Sequence, residues 1–166
     1  MKILKELSII TITYNNLNEL KNTTISIYPI IKYSKHLIIN GGKKIPRESL
    51  FVNSLIIDNN DEGIYDAINI GINMVKTKYF MLIHSGDIFI SNIKMISRII
   101  NSMNKEKLDV YLNDATLSFL GFKRNYRSKH WYPWMLNFGV QPPHLPIIYR
   151  KKFCSDLQYN TNNKII

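Results

Sequence analysis

Cysteine is almost missing from this chain: Cys154 is the single one. No disulfide can form within it, which fits a reducing compartment. A lone cysteine can serve as a nucleophile, but a small buried packing residue is the commoner role and the one expected here. Acidic side chains are scarce too, 12 against 22 lysines and arginines, for a net charge of +10. Such a deficit favours anionic partners: nucleic acid, an acidic lipid surface or phosphorylated substrates. The basic residues are scattered, and no nucleic-acid-binding motif accompanies them. A nucleic-acid binder would therefore account for the charge and for nothing else. Some of the Ile, Lys and Asn richness reads as the imprint of an AT-rich genome. Nor is there any window of about 20 apolar residues that could span a membrane. The first apolar run is interrupted by Thr11 and Thr13, and is too short and polar for a spanning helix or a signal peptide. Internal repeats and low-complexity linkers are absent as well. Together these absences predict a cytoplasmic protein, with room for peripheral contact with a membrane.

What is present suits one globular domain. The 166 residues are 45% hydrophobic and 20% charged, enough for a real core. Leu7 to Thr13 is β-branched and apolar, as in a buried parallel strand. Asn16 or Asn18 can cap a helix running to Tyr28, and Pro29 is expected to end that helix or its register. His36 to Ile39 reads as a second strand closed by Asn40-Gly41-Gly42, and Leu55 to Ile57 as a third. Lys43 to Asn53 between them is a weak helix or a loop. Ile64 to Val75 is a helix with Ile64, Ala67, Ile68, Ile72 and Val75 on one side. Tyr79 to Ile83 is a fourth strand. Ile93 to Met103 is an amphipathic helix with Ile93, Ile96, Ile99 and Ile100 inward. Short strands follow at Val110 to Leu112 and at Leu145 to Tyr149, and a helix is expected to begin between Arg150 and Asp156. Strands alternating with helices imply an α/β fold: an open, mostly parallel, Rossmann-like sheet flanked by helices. From Phe119 the texture changes, and aromatic residues gather among Lys123, Arg124, Arg127 and Lys129. They read either as an aromatic edge packed on the sheet or as an acceptor platform, since sugars stack on rings. Gln141-Pro142-Pro143-His144 is a rigid turn.

The chemistry concentrates in two segments. Asp61-Glu62-Gly63-Ile64-Tyr65-Asp66-Ala67-Ile68-Asn69-Ile70-Gly71 reads as a loop entering a helix. His84-Ser85-Gly86-Asp87 closes the fourth strand. Ligands of α/β sheets bind at the carboxyl ends of strands. A carboxylate there, after a glycine, can hold a divalent cation against a phosphorylated ligand. Asp87 can equally be a strand-end cap, Asp66 a helix-start acid and Tyr65 a packing ring.

These segments, in this order, resemble the family 2 glycosyltransferases of the GT-A fold, bacterial enzymes that build surface polysaccharides. Ile9-Ile10-Thr11-Ile12-Thr13-Tyr14-Asn15 is similar to the family's first strand and nucleotide-contacting turn. Asp61 to Gly71 is similar to its D-x-G-I-Y-D-A-M-N-x-G segment. His84 to Asp87 stands where its metal-binding tetrad belongs, and Pro142-Pro143-His144 resembles the P-P-H stretch of one subgroup. The resemblance implies a metal-dependent, inverting transfer from a nucleotide-sugar, a UDP-sugar by implication, to a glycan or lipid-linked acceptor at the inner membrane face. It implies Mn²⁺ or Mg²⁺ at Asp87, with His144 as a metal or phosphate partner or as a structural residue. Thr13, Tyr14, Asn15, Asn40, Asp61, Asn69 and Gly86 would shape the donor site. Residues 1–114 would form the nucleotide-sugar part of a single domain, and 115–166 an acceptor-side part. Nucleic acid is not an expected partner.

Three departures bear on activity. Asn40-Gly41-Gly42-Lys43 replaces an Asp-Gly-Gly-Ser turn whose aspartate accepts the uracil N–H, although an Asn can accept through its carbonyl. Gly86 and His84 replace residues common in the tetrad. The segment from Asn160 to Ile166 resembles the lead-in to an A-D-Y-E stretch that carries the general base, so the resemblance puts that acid beyond Ile166 and leaves the catalytic residue unknown. The alternative expectation is a truncated, impaired relative that binds a nucleotide-sugar or acts as a scaffold.

Overall fold

The computed structural model describes residues 2–46, 53–59, 63–142, 145, 147–154, 156 and 158–161. After a short 3₁₀ turn, strand β1 (Leu7–Thr13) leads into helix α1 (Leu17–Ile31), β2 (Lys35–Asn40) and β3 (Ser54–Asp58). Helix α2 (Ile64–Met74), β4 (Tyr79–His84), α3 (Ile93–Glu106) and β5 (Val110–Tyr111) follow, then β6 (Ala115–Phe119), β7 (Phe122–Tyr126) and β8 (Ile148–Arg150). Six strands form one sheet in the order β3-β2-β1-β4-β8-β5, while β6 and β7 form a separate pair. β1 pairs in parallel with both β2 and β4, and β2 with β3; β8 runs antiparallel between β4 and β5. The expected α/β sheet, mostly parallel, is therefore the architecture observed.

All seven residues of β1 are buried, because helices cover both sheet faces. Leu7, Ile9, Met81 and Ile83 pack with Ile27, Ile30 and Ile31 of α1 and with Ile96, Ile99, Ile100 and Met103 of α3. On the other face Ile10, Ile12, Phe80 and Leu82 meet Ala67, Ile68 and Ile72 of α2. The close seat of α2 needs Gly71, where a Cβ would stand 2.6 Å from Ile10 Cγ2.

The sequence expectation for the first helix is corrected in one respect. Pro29 lies inside α1, exposed in its last turn, and the helix continues to Ile31. A helical proline costs about 3 kcal/mol. Ile30 and Ile31 are both fully buried, and each contributes roughly 1.5–3 kcal/mol, so packing outweighs the proline. The helix expected from Arg150 is a 3₁₀ turn, Lys151–Cys154, after β8. The aromatic segment is not an edge packed on the sheet: Phe119, Phe122 and Phe138 are exposed, and β6–β7 stands apart from the six-stranded sheet. Cys154 is buried, and that burial raises its thiol pKa, as fits a packing residue. No described helix is long and apolar enough to cross a membrane.

Candidate functional site at the strand switch point

From β1 the chain crosses to β2 on one side, and from β3 it returns to β4 on the other. That reversal opens a crevice beyond the carboxyl ends of β1 and β4, where open α/β sheets bind ligands. A cavity of about 470 Å³ lies there, lined by Ile12, Thr13, Tyr14, Asn16, Gly63, Ile64, Ala67, His84 and Ser85. Its volume falls in the usual range for small-molecule sites, about 300–1,000 Å³. The amino end of α2 meets the cavity at Gly63, which has φ 126° and gives the helix no side-chain cap. Ile64, expected on the core stripe of α2, is 37% exposed and lines the cavity instead.

Three strand ends are tied together around this crevice. The β1–β4 ladder extends one step further as Ser85 N–H donates to Ile12 O at 3.0 Å. The Ser85 hydroxyl donates to Asn16 O at 3.3 Å. Asn15 takes a positive φ of 52°, and its Oδ1 accepts from Lys43 N–H at 2.8 Å. Asn40, fully buried, holds the turn after β2. Its Oδ1 accepts from Gly42 N–H at 3.2 Å, and its Nδ2 donates to Lys43 O at 2.9 Å and to Asp58 Oδ1 at 2.7 Å. Both amide hydrogens of Asn40 are thus engaged within the protein.

The turn after β4 is built on α1. Gly86 adopts φ 103°, a conformation that favours glycine. Its N–H donates to Thr23 Oγ1 at 2.9 Å, and the same hydroxyl donates to Asp87 O at 2.9 Å. Asp87 closes the turn on itself, with Oδ2 accepting from His84 N–H at 3.0 Å and its own N–H donating to His84 O at 3.1 Å. The strand-end cap is therefore real. It fixes where this half-buried carboxylate sits, with Gly86 between it and the cavity-wall residues His84 and Ser85.

Of the residues singled out from the sequence, Thr13 and Tyr14 line the cavity. The Thr13 hydroxyl is buried and has no hydrogen-bond partner among the described residues. Tyr14 is 70% exposed at the mouth. Gly86 and Asp87 form the adjoining turn. Asn15 and Asn40 brace the loops beside the cavity without lining it. Asn69 lies off the cavity wall as well, and its amide pairs with both backbone groups of Tyr159, at 2.9 Å each. Tyr65 stacks on Tyr159 with ring centroids 5.4 Å apart, a packing role. Asp61 and His144 lie outside the described residues, as do Glu62 and Pro143.

Thr23 went unnoticed in the sequence. The signal was available: with Leu20 and Ile27 it falls on the apolar stripe of α1, and a buried hydroxyl there requires a partner. Among the described residues no group of three His, Cys, Asp or Glu side chains gathers to hold a metal. Among the described residues Asp87 carries the carboxylate of the turn that adjoins the cavity wall. One or two carboxylates with phosphate oxygens and water form the hard-oxygen donor set that magnesium-type ions take beside nucleotides.

No family model matches the chain, and no curated protein matches it. Solved structures do. Residues 1–349 of TarS from S. aureus match with a TM-score of 0.66 at 13% identity, over 96% of this chain and 51% of that one. The same fragment in complex with UDP-GlcNAc matches with a TM-score of 0.60 at 14% identity, over 90% and 46%. The mannosyltransferase PcManGT from Pyrobaculum calidifontis, in complex with GDP-Man and Mn²⁺, gives 0.64 at 8% identity, over 95% and 48%. This chain thus spans about half the length of the structures it matches. At such identities the likeness establishes architecture alone, and this chain has the GT-A-like α/β fold of these structures.

Proposed function

We propose that the crevice binds a nucleotide-sugar, a UDP-sugar in the first instance, and serves an inverting transfer of the sugar to a glycan or lipid-linked acceptor in bacterial surface polysaccharide synthesis. The observation that carries this reading is the cavity at the strand switch point, with the Asp87 turn at its edge. Tyr14 offers an exposed ring to a base, and Thr13 a buried hydroxyl to a polar ligand atom. The amino end of α2 favours negative charge at the far side of the cavity. A Mn²⁺ or Mg²⁺ ion bound there would neutralise charge developing on the leaving diphosphate. Asp87 is suited to hold it, since its turn is anchored by Thr23 and its carboxylate is oriented by His84 N–H. Asn15 and Asn40 act as loop braces that keep the base-side wall in place, and Asn69 secures the segment around Tyr159. The solved relatives in complex with UDP-GlcNAc, and with GDP-Man and Mn²⁺, support the same ligand class.

Calorimetry with UDP tests the reading. Binding is expected to strengthen with Mn²⁺, and Asp87→Ala to remove that gain, roughly tenfold or about 1.4 kcal/mol. Equal affinity with and without metal, in both proteins, would overturn the assignment. A second reading is a nucleotide-sugar-binding protein with little turnover. It is favoured by the cavity wall, which carries no carboxylate among its described residues and leaves the His84 imidazole as the side chain there suited to take an acceptor proton. Donor turnover by this 166-residue chain would exclude that second reading.

A further inference from the structure

The β6–β7 hairpin has two unlike faces. Its register pairs Leu117 with Arg124 and Phe119 with Phe122 on one face, and Thr116 with Asn125 and Ser118 with Lys123 on the other. Side chains alternate across a strand, so the first face is apolar and the second polar. A sheet with an apolar face normally covers it. Here it is open: Phe119 is 75% exposed, Phe122 81%, and Leu120 at the apex 81%. The apex is held by Leu120 and Gly121, both at positive φ, which keeps the two aromatic rings beside the aliphatic tip. A second exposed aromatic group follows in the chain, with Tyr132 stacked on Trp134 at 6.5 Å.

Charge decides what could cover this surface. From Ala115 to Val140 there is no Asp or Glu, against Lys123, Arg124, Arg127 and Lys129. The cores of protein–protein interfaces are depleted of charge, whereas here the first cation, Lys123, stands two residues past the apex glycine. Aliphatic and aromatic groups at an apex, Trp and Tyr nearby, and basic side chains just behind are the composition that partitions into the headgroup boundary of an anionic bilayer. Arg124 shares the apolar face by register, is exposed, and holds its guanidinium carbon 4.9 Å from the centroid of the Tyr126 ring.

We propose that this hairpin docks the protein on an anionic phospholipid surface, with Phe119, Leu120 and Phe122 entering the boundary between headgroups and acyl chains and Lys123 and Arg124 engaging lipid phosphates. The proposal goes beyond the donor reading and needs no nucleotide. Binding of the full chain to vesicles of phosphatidylcholine with phosphatidylglycerol, and to vesicles of phosphatidylcholine alone, tests it without UDP or metal. The chain is expected to bind the anionic vesicles and to be released by salt. The pairs Phe119→Ser with Phe122→Ser, and Lys123→Gln with Arg124→Gln, should each weaken binding roughly tenfold or more. These side chains are exposed, so the melting temperature should stay put and show that both variants fold. Absence of binding by the unaltered chain, equal binding by the variants, or equal binding to uncharged vesicles would overturn it. So would a dimer that the Phe119→Ser, Phe122→Ser variant dissociates, since that would make the patch a contact between two copies. Asp87→Ala should leave vesicle binding intact, which separates this failure from that of the donor site.

Discussion

β1 and β6 are built from similar apolar and hydroxyl residues, and β1 and the β6–β7 pair meet opposite fates. β1 has neighbours on both edges and helices on both faces, and every one of its residues is buried. β6 and β7 have only each other, and their phenylalanines stand in solvent. Hydrophobicity therefore does not by itself assign a strand to the core. A two-stranded ribbon cannot bury a face unless something else covers it, and an isolated one is marginal in water. The parallel half must gather distant segments around β1, and in doing so it creates the switch-point crevice. The ribbon is local, stays open, and leaves a surface for a partner.

The contrast can be broken most directly by truncating one residue in each region. Ile9→Ala, at a fully buried site, should cost about 2–5 kcal/mol in urea unfolding. Phe122→Ala should change global stability by less than about 0.5 kcal/mol. Comparable losses would mean that the ribbon is part of the cooperative core.

Next in size is a pH effect confined to the buried half. His36 lies between Thr11 Oγ1 at 2.9 Å and Ser54 Oγ at 2.7 Å, and burial lowers its pKa from 6.5 to about 4. Above pH 6.5 both folded and unfolded chains hold it neutral. As the pH falls the unfolded chain binds the proton first, so stability is lost between 6.5 and 4 and levels off below. The full loss is about 3 kcal/mol. Urea midpoints of the chain and of His36→Asn across this window should differ in slope, and parallel curves would refute the assignment.

The smallest effect belongs to the exposed half. Asp114 Oδ1 accepts from Ser128 N–H at 2.8 Å and from its hydroxyl at 3.0 Å, which closes the base of the ribbon. These bonds, the backbone one first, lower the Asp114 pKa. Their contribution is present above the ordinary carboxylate range and fades as the pH falls through the lowered value. In this exposed setting the consequence is local. Asp114→Ala should speed hydrogen exchange at Ser128 N–H and leave the melting temperature unchanged.

Much of the parallel half is legible in the residues themselves. Ile96, Ile99 and Ile100 recur at helical spacing and are buried, and Leu7 to Thr13 forms the strand its β-branched run implies. Pro29 misleads because a local rule ignores the two isoleucines beyond it. The polar residues of the candidate site are harder to read. Asn40 and Asn69 carry side chains that suit a ligand, yet Asn40 is engaged by Gly42, Lys43 and the Asp58 carboxylate, and Asn69 by the backbone of Tyr159, 90 residues away. Thr23 acts on a turn 63 residues distant. No pattern along the chain encodes that both asparagines turn to such partners rather than to the cavity.

The sequence alone determined the alternation of strands and helices, the burial of β1 and the charge bias. Periodicity, β-branching and ionisable groups are properties of neighbouring residues, and they act within a few positions. Only the tertiary structure decided where the chain reverses about β1, that Ile64 leaves the core to line a cavity, and that the aromatic ribbon stays uncovered. Each of these depends on contacts between segments far apart in the chain, and such contacts are settled by the packing of the whole sheet.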